Sequence, residues 1–191
     1  DYIILHETAH EWWGNSLTAC DGADVWLHES FATYSEVLYV EEKLGRLVSI
    51  DYLKKKRSYI GNKRPMVGPQ HVNYWGFDDV YWKGAWVLHT LRSVLNNDAL
   101  FFKMIKDVHE HFRHSVVCTD EFTDYINEIT GQDLDYFFKQ YLYDRKPPVF
   151  EYQQDDSSFY YRWHGVHDKF SMPLDILVNK EPIRIIPTTE T

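Results

Sequence analysis

His6-Glu7-Thr8-Ala9-His10, followed after eighteen intervening residues by Glu29 in Trp26-Leu27-His28-Glu29, is the stretch that decides how this chain reads. On a helix His6 and His10 stand one turn apart and face the same way, so both imidazoles can meet one cation. Glu7 falls about 100° around the helix from His6, at roughly 3.6 residues per turn. That offset sets its carboxylate beside a metal instead of on it, where it can take a proton from an activated water. A hydrolytic zinc site takes three protein ligands and keeps one position open. Glu29 is the candidate third ligand, so the expected set is His6, His10 and Glu29 around one Zn2+ per chain.

A motif of five residues with three fixed also recurs by chance, as histidines on a helix surface. The surroundings favour the metal. Ile3, Ile4, Leu5 and Trp12-Trp13 flank the motif with apolar side chains and predict a helix over 2–13, buried enough to shield an ion, with Gly14 as its stop. Glu29 falls in a second amphipathic segment, and Glu36 lies seven residues further along the same face. A carboxylate there can accept the free N–H of a ligating histidine, the usual outer support of such a site.

His6-Glu7-Thr8-Ala9-His10-Glu11-Trp12-Trp13-Gly14-Asn15 and Trp26-Leu27-His28-Glu29-Ser30-Phe31-Ala32 together resemble the zinc core of the aminopeptidase N family of gluzincin metallopeptidases. That family typically reads H-E-x-x-H-x-W-[WF]-G-N and then W-L-N-E-G-F-A at the same spacing. Tyr81-Trp82-Lys83-Gly84-Ala85 is similar to its Y-x-K-G-A, whose tyrosine is catalytic. His28 stands where the family usually has Asn, and Ser30 where it usually has Gly; neither is a ligand or acid/base position. The resemblance implies a mainly α, thermolysin-like helical catalytic lobe followed by a short antiparallel β segment. It also implies zinc-dependent removal of N-terminal amino acids from peptides, with Glu7 and Tyr81 as catalytic groups. The family's amine-holding G-x-M-E-N motif is not found in these residues. A missing N-terminal part of the same parent protein is therefore an expected partner, and the chain alone is expected to be weakly active or inactive. Ile3, Ile4 and Trp12 would then be exposed.

Composition narrows the rest. Large rings are abundant (17% aromatic, 44% hydrophobic), which argues for a folded core. The net charge of -9, from 29 acidic against 20 basic residues, comes without a basic cluster that could track a phosphate backbone, so nucleic acid is not an expected partner. No apolar run reaches the roughly 20 residues a bilayer-spanning helix needs. Cys20 and Cys118 are the only cysteines; they exclude a Cys-based zinc module and permit a single disulfide without demanding one.

Along the chain, Asp24 is the expected N-cap of a helix ending near Leu44-Gly45. An antiparallel pair of helices joined this way returns Glu29 over His6 and His10. Arg46 to Tyr59 reads as a third helix, its Lys54-Lys55-Lys56-Arg57 run as solvated surface. Residues 61–80 read as a long loop whose Tyr74, Trp75 and Phe77 either line a cleft or pack the loop down. Tyr81 opens a helix closed by Asn96-Asn97; on its own it would read as a half-buried aromatic at a helix start. Further helices are expected from Asp98 to about Arg113, from Asp120 to Ile129, and from an Asp133 cap through Tyr141. His109, His111 and His114 have no acidic or cysteine partner at ligand spacing and read as surface residues. After Pro147-Pro148 come alternating runs at Val149–Tyr152, Phe159–Trp163, Leu174–Val178 and Ile183–Ile186, an antiparallel β pattern. The expected division is a catalytic lobe at 1–146 and the start of a β-sandwich-like module at 147–191. Two rivals stay open: a thermolysin-type endopeptidase, and a non-catalytic peptide-binding module.

Overall fold

The computed structural model describes residues 2–73 and 78–190. Tyr74, Trp75 and Phe77, the aromatics expected to line a cleft or pack the loop, lie outside the described residues.

The first helix, α1, runs Tyr2–Ala9, shorter than the expected 2–13. After Ala9 the bonds tighten to a spacing of three, Glu11 N–H to the Thr8 carbonyl and Trp12 N–H to that of Ala9. Gly14 then takes φ 141°, a conformation that side chains resist. The flanks do not bury the helix as its apolar residues suggested: Ile3, Ile4 and Trp12 are exposed, and only His6 and Ala9 of α1 are buried. A short strand, β1 (Leu17–Ala19), and a tight turn at Gly22–Asp24 lead into α2 (Trp26–Leu44). Gly45, at φ 91°, ends α2 and hands over to α3 (Arg46–Lys55), whose last turn tightens over Lys56–Tyr59.

Asp24 does not cap α2. It is fully buried, and its carboxylate accepts from the backbone N–H and the hydroxyl of Thr119 and from Gln70 Nε2. Thr119 opens α6 (Thr119–Thr130), so Asp24 places a negative charge at the start of a helix distant in sequence. Cys20 and Cys118 form a disulfide beside this contact. Next to it β1 pairs in parallel with β2 (Ser115–Val117), a two-strand ladder too short to leave a pattern in the sequence.

The loop over 61–73 is pinned to the core. Met66 and Val67 N–H groups both donate to the Leu142 carbonyl, and Gly61 N–H donates to Asp79. Helix α4 (Asp79–Leu95) crosses α2 and ends on Asn96 in the left-handed region. Asn97 caps α5 (Asp98–His111), its side chain accepting from Leu100 N–H. Glu121 closes a capping interaction with Cys118 N–H at the start of α6, and α7 spans Asp135–Tyr143. Trp26, Phe31, Tyr34, Phe101, Phe122 and Phe137 form the centre of the core.

The β segment is two separate antiparallel ladders, β3 (Val149–Gln154) with β4 (Phe159–His164), and β5 (Leu174–Val178) with β6 (Glu181–Ile185). Both lie against the helices. Trp163, Phe170 and Met172 join the helical core, and Arg184 donates to the Ser93 and Val94 carbonyls at the end of α4. The chain is thus mainly α, with a small antiparallel β portion after the helical lobe.

Candidate metal centre

Helix α1 with the turn that follows it, packed on α2, brings the expected ligands together. His6 Nε2 lies 3.2 Å and His10 Nε2 3.5 Å from the same Glu29 oxygen. All three candidate ligand atoms fall within 4.8 Å of one another. Tetrahedral ligands at zinc bond lengths of about 2.0–2.2 Å stand about 3.3–3.6 Å apart, so the two distances from Glu29 to the imidazoles match such an ion.

The imidazoles are also turned the right way. His6 Nδ1 bonds Glu36 Oε1 at 3.0 Å, and His10 Nδ1 bonds the Trp13 carbonyl at 2.9 Å. With Nδ1 donating in each case, Nε2 is the ring nitrogen turned toward Glu29, and it is the one a metal would take in place of a proton. Glu36 is itself held by the Tyr52 hydroxyl at 2.7 Å. Tyr52 comes from α3 and has no spacing relation to the motif; nothing in the sequence signals it.

The electrostatics follow from this crowding of carboxylates. Burial works against charge on His6, but its hydrogen bonds to Glu29 and Glu36 outweigh it, and its pKa is raised to about 9. Tyr81 sits in the first turn of α4 with its ring stacked 6.0 Å from that of His6. Burial first, then the nearby Glu29 carboxylate, push its phenol pKa up, so the hydroxyl stays a proton donor at neutral pH. Glu7 is exposed on α1 and, with His6, Thr33, Tyr81 and Trp82, lines a cleft of 230 Å³.

The two departures from the resembled motif have visible roles. His28 Nε2 accepts from the Ala19 N–H at 2.7 Å, tying β1 to the start of α2. Ser30 Oγ donates to the Val80 carbonyl at 2.7 Å, fixing the turn that carries Tyr81 to the residue after Glu29. Gly84 makes that approach possible, since a Cβ there would lie 1.8 Å from Ser30 Oγ. The other residues read as surface divide. His111 and His114 are exposed, whereas His109 is half-buried against Trp13 and bonds Ser16 Oγ. Lys56, read as solvated, is instead held among aromatic rings. Cys20, Asp24 and Cys118 also cluster, but the sulfurs are joined to each other and offer no thiolate.

A model of the peptidase family M1 domain matches residues 1–141. The chain belongs to peptidase family M1. It is 30% identical to aminopeptidase N of Streptomyces lividans over 155 residues, covering 73% of this chain and 18% of that protein. Against rat aminopeptidase N the identity is 32% over 128 residues, covering 59% and 13% respectively. Among solved structures, an M1 zinc metallopeptidase from Deinococcus radiodurans superposes with a TM-score of 0.67 at 26% identity, over 78% of this chain and 34% of that one. Legionella pneumophila aminopeptidase A shares the fold over 97% of this chain with a TM-score of 0.69 at 16% identity. The chain thus spans less than a fifth of the length of these two aminopeptidase N relatives.

Proposed function

We propose that this chain carries the zinc centre of an aminopeptidase, with His6, His10 and Glu29 as ligands of one Zn2+ and Glu36 holding His6. The observation that carries the reading is the convergence of two Nε2 atoms on one Glu29 oxygen, at 3.2 and 3.5 Å, with both Nδ1 atoms already engaged. Zinc, when bound, supplies Lewis acidity toward a scissile carbonyl and acidifies water.

The chain's own residues do the rest. Glu7 follows His6 on α1 and has no part in holding the ion, so its carboxylate takes the proton of the attacking water and passes it to the leaving nitrogen. Tyr81, kept protonated by burial and by Glu29, donates to the oxyanion that develops on the carbonyl. Aromatic side chains, Tyr2 and Trp82 among them, form part of the cleft wall. In this reading residues 1–146 are the catalytic lobe and 147–191 begin a β-sandwich-like module. Peptides are the substrates. One M1 relative of known structure, from Deinococcus radiodurans, is described bound to a Tyr-Ser-Ala substrate, which supports the assignment.

A panel of aminoacyl chromogenic substrates, free and N-acetylated, assayed with the longest natural form of the protein, tests the reading. Cleavage of the free-amine series with the acetylated series spared is expected. Cleavage of acetylated peptides at internal bonds would favour the thermolysin-type endopeptidase instead.

A further inference from the structure

Lys56 ends α3, at the start of the tight turn Lys56–Tyr59. Its ammonium is ringed by four aromatic side chains. Nζ lies 5.6 Å from the ring centre of Tyr2, 5.7 Å from that of Tyr52, 5.5 Å from Tyr59 and 5.1 Å from Trp82. Ring faces attract a cation, so four of them hold this charge in one place on an otherwise flexible stem. They do not use up its N–H donors. Among the described residues Lys56 has neither a salt bridge nor a hydrogen-bonded acceptor.

The position of this cage matters. Tyr2 and Trp82 also wall the cleft that contains His6, Glu7 and Tyr81, and Tyr52 bonds the Glu36 that holds His6. Among its described lining residues the cleft has Glu7 and Glu36 and no Lys or Arg. Lys56 is not itself a lining residue, but its ammonium packs against two of the side chains that are, Tyr2 and Trp82, and so offers a cation beside those carboxylates.

We propose that Lys56 is a carboxylate-binding subsite of this cleft, which favours short peptides carrying an acidic side chain or a free C-terminal carboxylate near the bond to be cut. The proposal rests on the peptidase reading and adds the substrate class. A lysine with donors to spare, immobilised by rings, is pre-organised for such an anion and loses little freedom on meeting it.

The test measures binding, not turnover. Zinc-loaded protein bearing Glu7→Gln, so that peptides are not consumed, is titrated by calorimetry with Ala-Glu-Ala-amide, Ala-Ala-Ala and Ala-Ala-Ala-amide. Lys56→Met should weaken one or both carboxylate-bearing peptides about fivefold, the scale of a partly exposed ion pair, and leave Ala-Ala-Ala-amide unchanged. Lys56→Arg should restore the affinity, and which peptide responds identifies the source of the carboxylate. Equal weakening of all three peptides would make Lys56 structural, and no weakening would make it irrelevant; either result overturns the subsite. Failure of the protein with Lys56 intact to bind any of the three would instead overturn the peptidase reading itself, and the subsite with it.

Discussion

Tyr81 shows what a single residue gains from its surroundings. Its ring lies against His6, and burial beside Glu29 keeps its phenol protonated. If its hydroxyl meets the developing oxyanion, Tyr81→Phe should keep its zinc and lose about 10²–10³-fold in kcat, the usual effect of a lost oxyanion donor, with KM little changed. A rise in KM at constant kcat would make it a binding residue. Glu7→Gln should likewise keep the metal and lose turnover if Glu7 acts as the base and not as a ligand; zinc content by metal analysis and steady-state rates check both. Most residues of this site were legible in the sequence because helical spacing relates them: His6 to His10 by one turn, Glu29 to Glu36 by two. Tyr52 and Lys56 were not. Tyr52 reaches Glu36 from α3 and Lys56 meets the ring of Trp82 from the turn after it, and no periodicity connects either to the motif.

Helices α2 and α4 set the site's second dimension. They approach closely at Gly84, where an added Cβ would meet Ser30 Oγ at 1.8 Å, its Cβ at 2.5 Å and its backbone Cα at 3.1 Å. A rotation of the serine side chain relieves only the first of these. Gly84→Ala should therefore destabilise the fold by about 1–3 kcal/mol, as overpacking does, and should reduce activity through Tyr81 on the same helix. Ser30→Gly combined with Gly84→Ala should recover most of the lost stability in thermal melts; additive losses would show the contact is not the cause. At the far end of α4, buried Arg92 donates to both oxygens of Glu41 and both of Asp98. Hydrogen bonds from Arg92 hold both carboxyl pKa values below their usual range. A depressed folded pKa stabilises above the unfolded value, about 4, and that contribution is lost as pH falls through the folded value. The difference in Tm between the wild type and Arg92→Met should thus be steady near neutrality and shrink as pH drops below about 4; a gap unchanged at pH 3 would contradict this. The helices themselves were legible from their apolar spacing, but several caps were not. Asp24 was read as the cap of its own helix, yet it serves α6, because a buried carboxylate takes the donors that the tertiary fold supplies.

For the whole molecule, the long-range ties are those that local sequence could not announce. The Cys20–Cys118 disulfide closes a separation of 98 residues next to the β1–β2 ladder and the Asp24–Thr119 contact. Two cysteines permit one bridge but do not require it, and three-residue strands carry no usable alternation. Closing a loop of about this length stabilises by up to about 4–5 kcal/mol in the chain-entropy account. Cys20→Ser with Cys118→Ser should accordingly lower the denaturant midpoint strongly, without removing the zinc ligands; an unchanged midpoint would show that the neighbouring contacts suffice. The alternating runs after Pro147-Pro148 were legible as strands. Their division into two separate ladders was not, since it depends on Trp163, Phe170 and Met172 finding places in the helical core.

The most direct test of the account is metal stoichiometry. Purified protein, equilibrated with zinc and freed of excess ion, should hold close to one zinc per chain by elemental analysis. His10→Ala should lose most of it, while Glu7→Gln keeps it. Zinc content unaffected by His10→Ala would place the ion elsewhere and contradict the site.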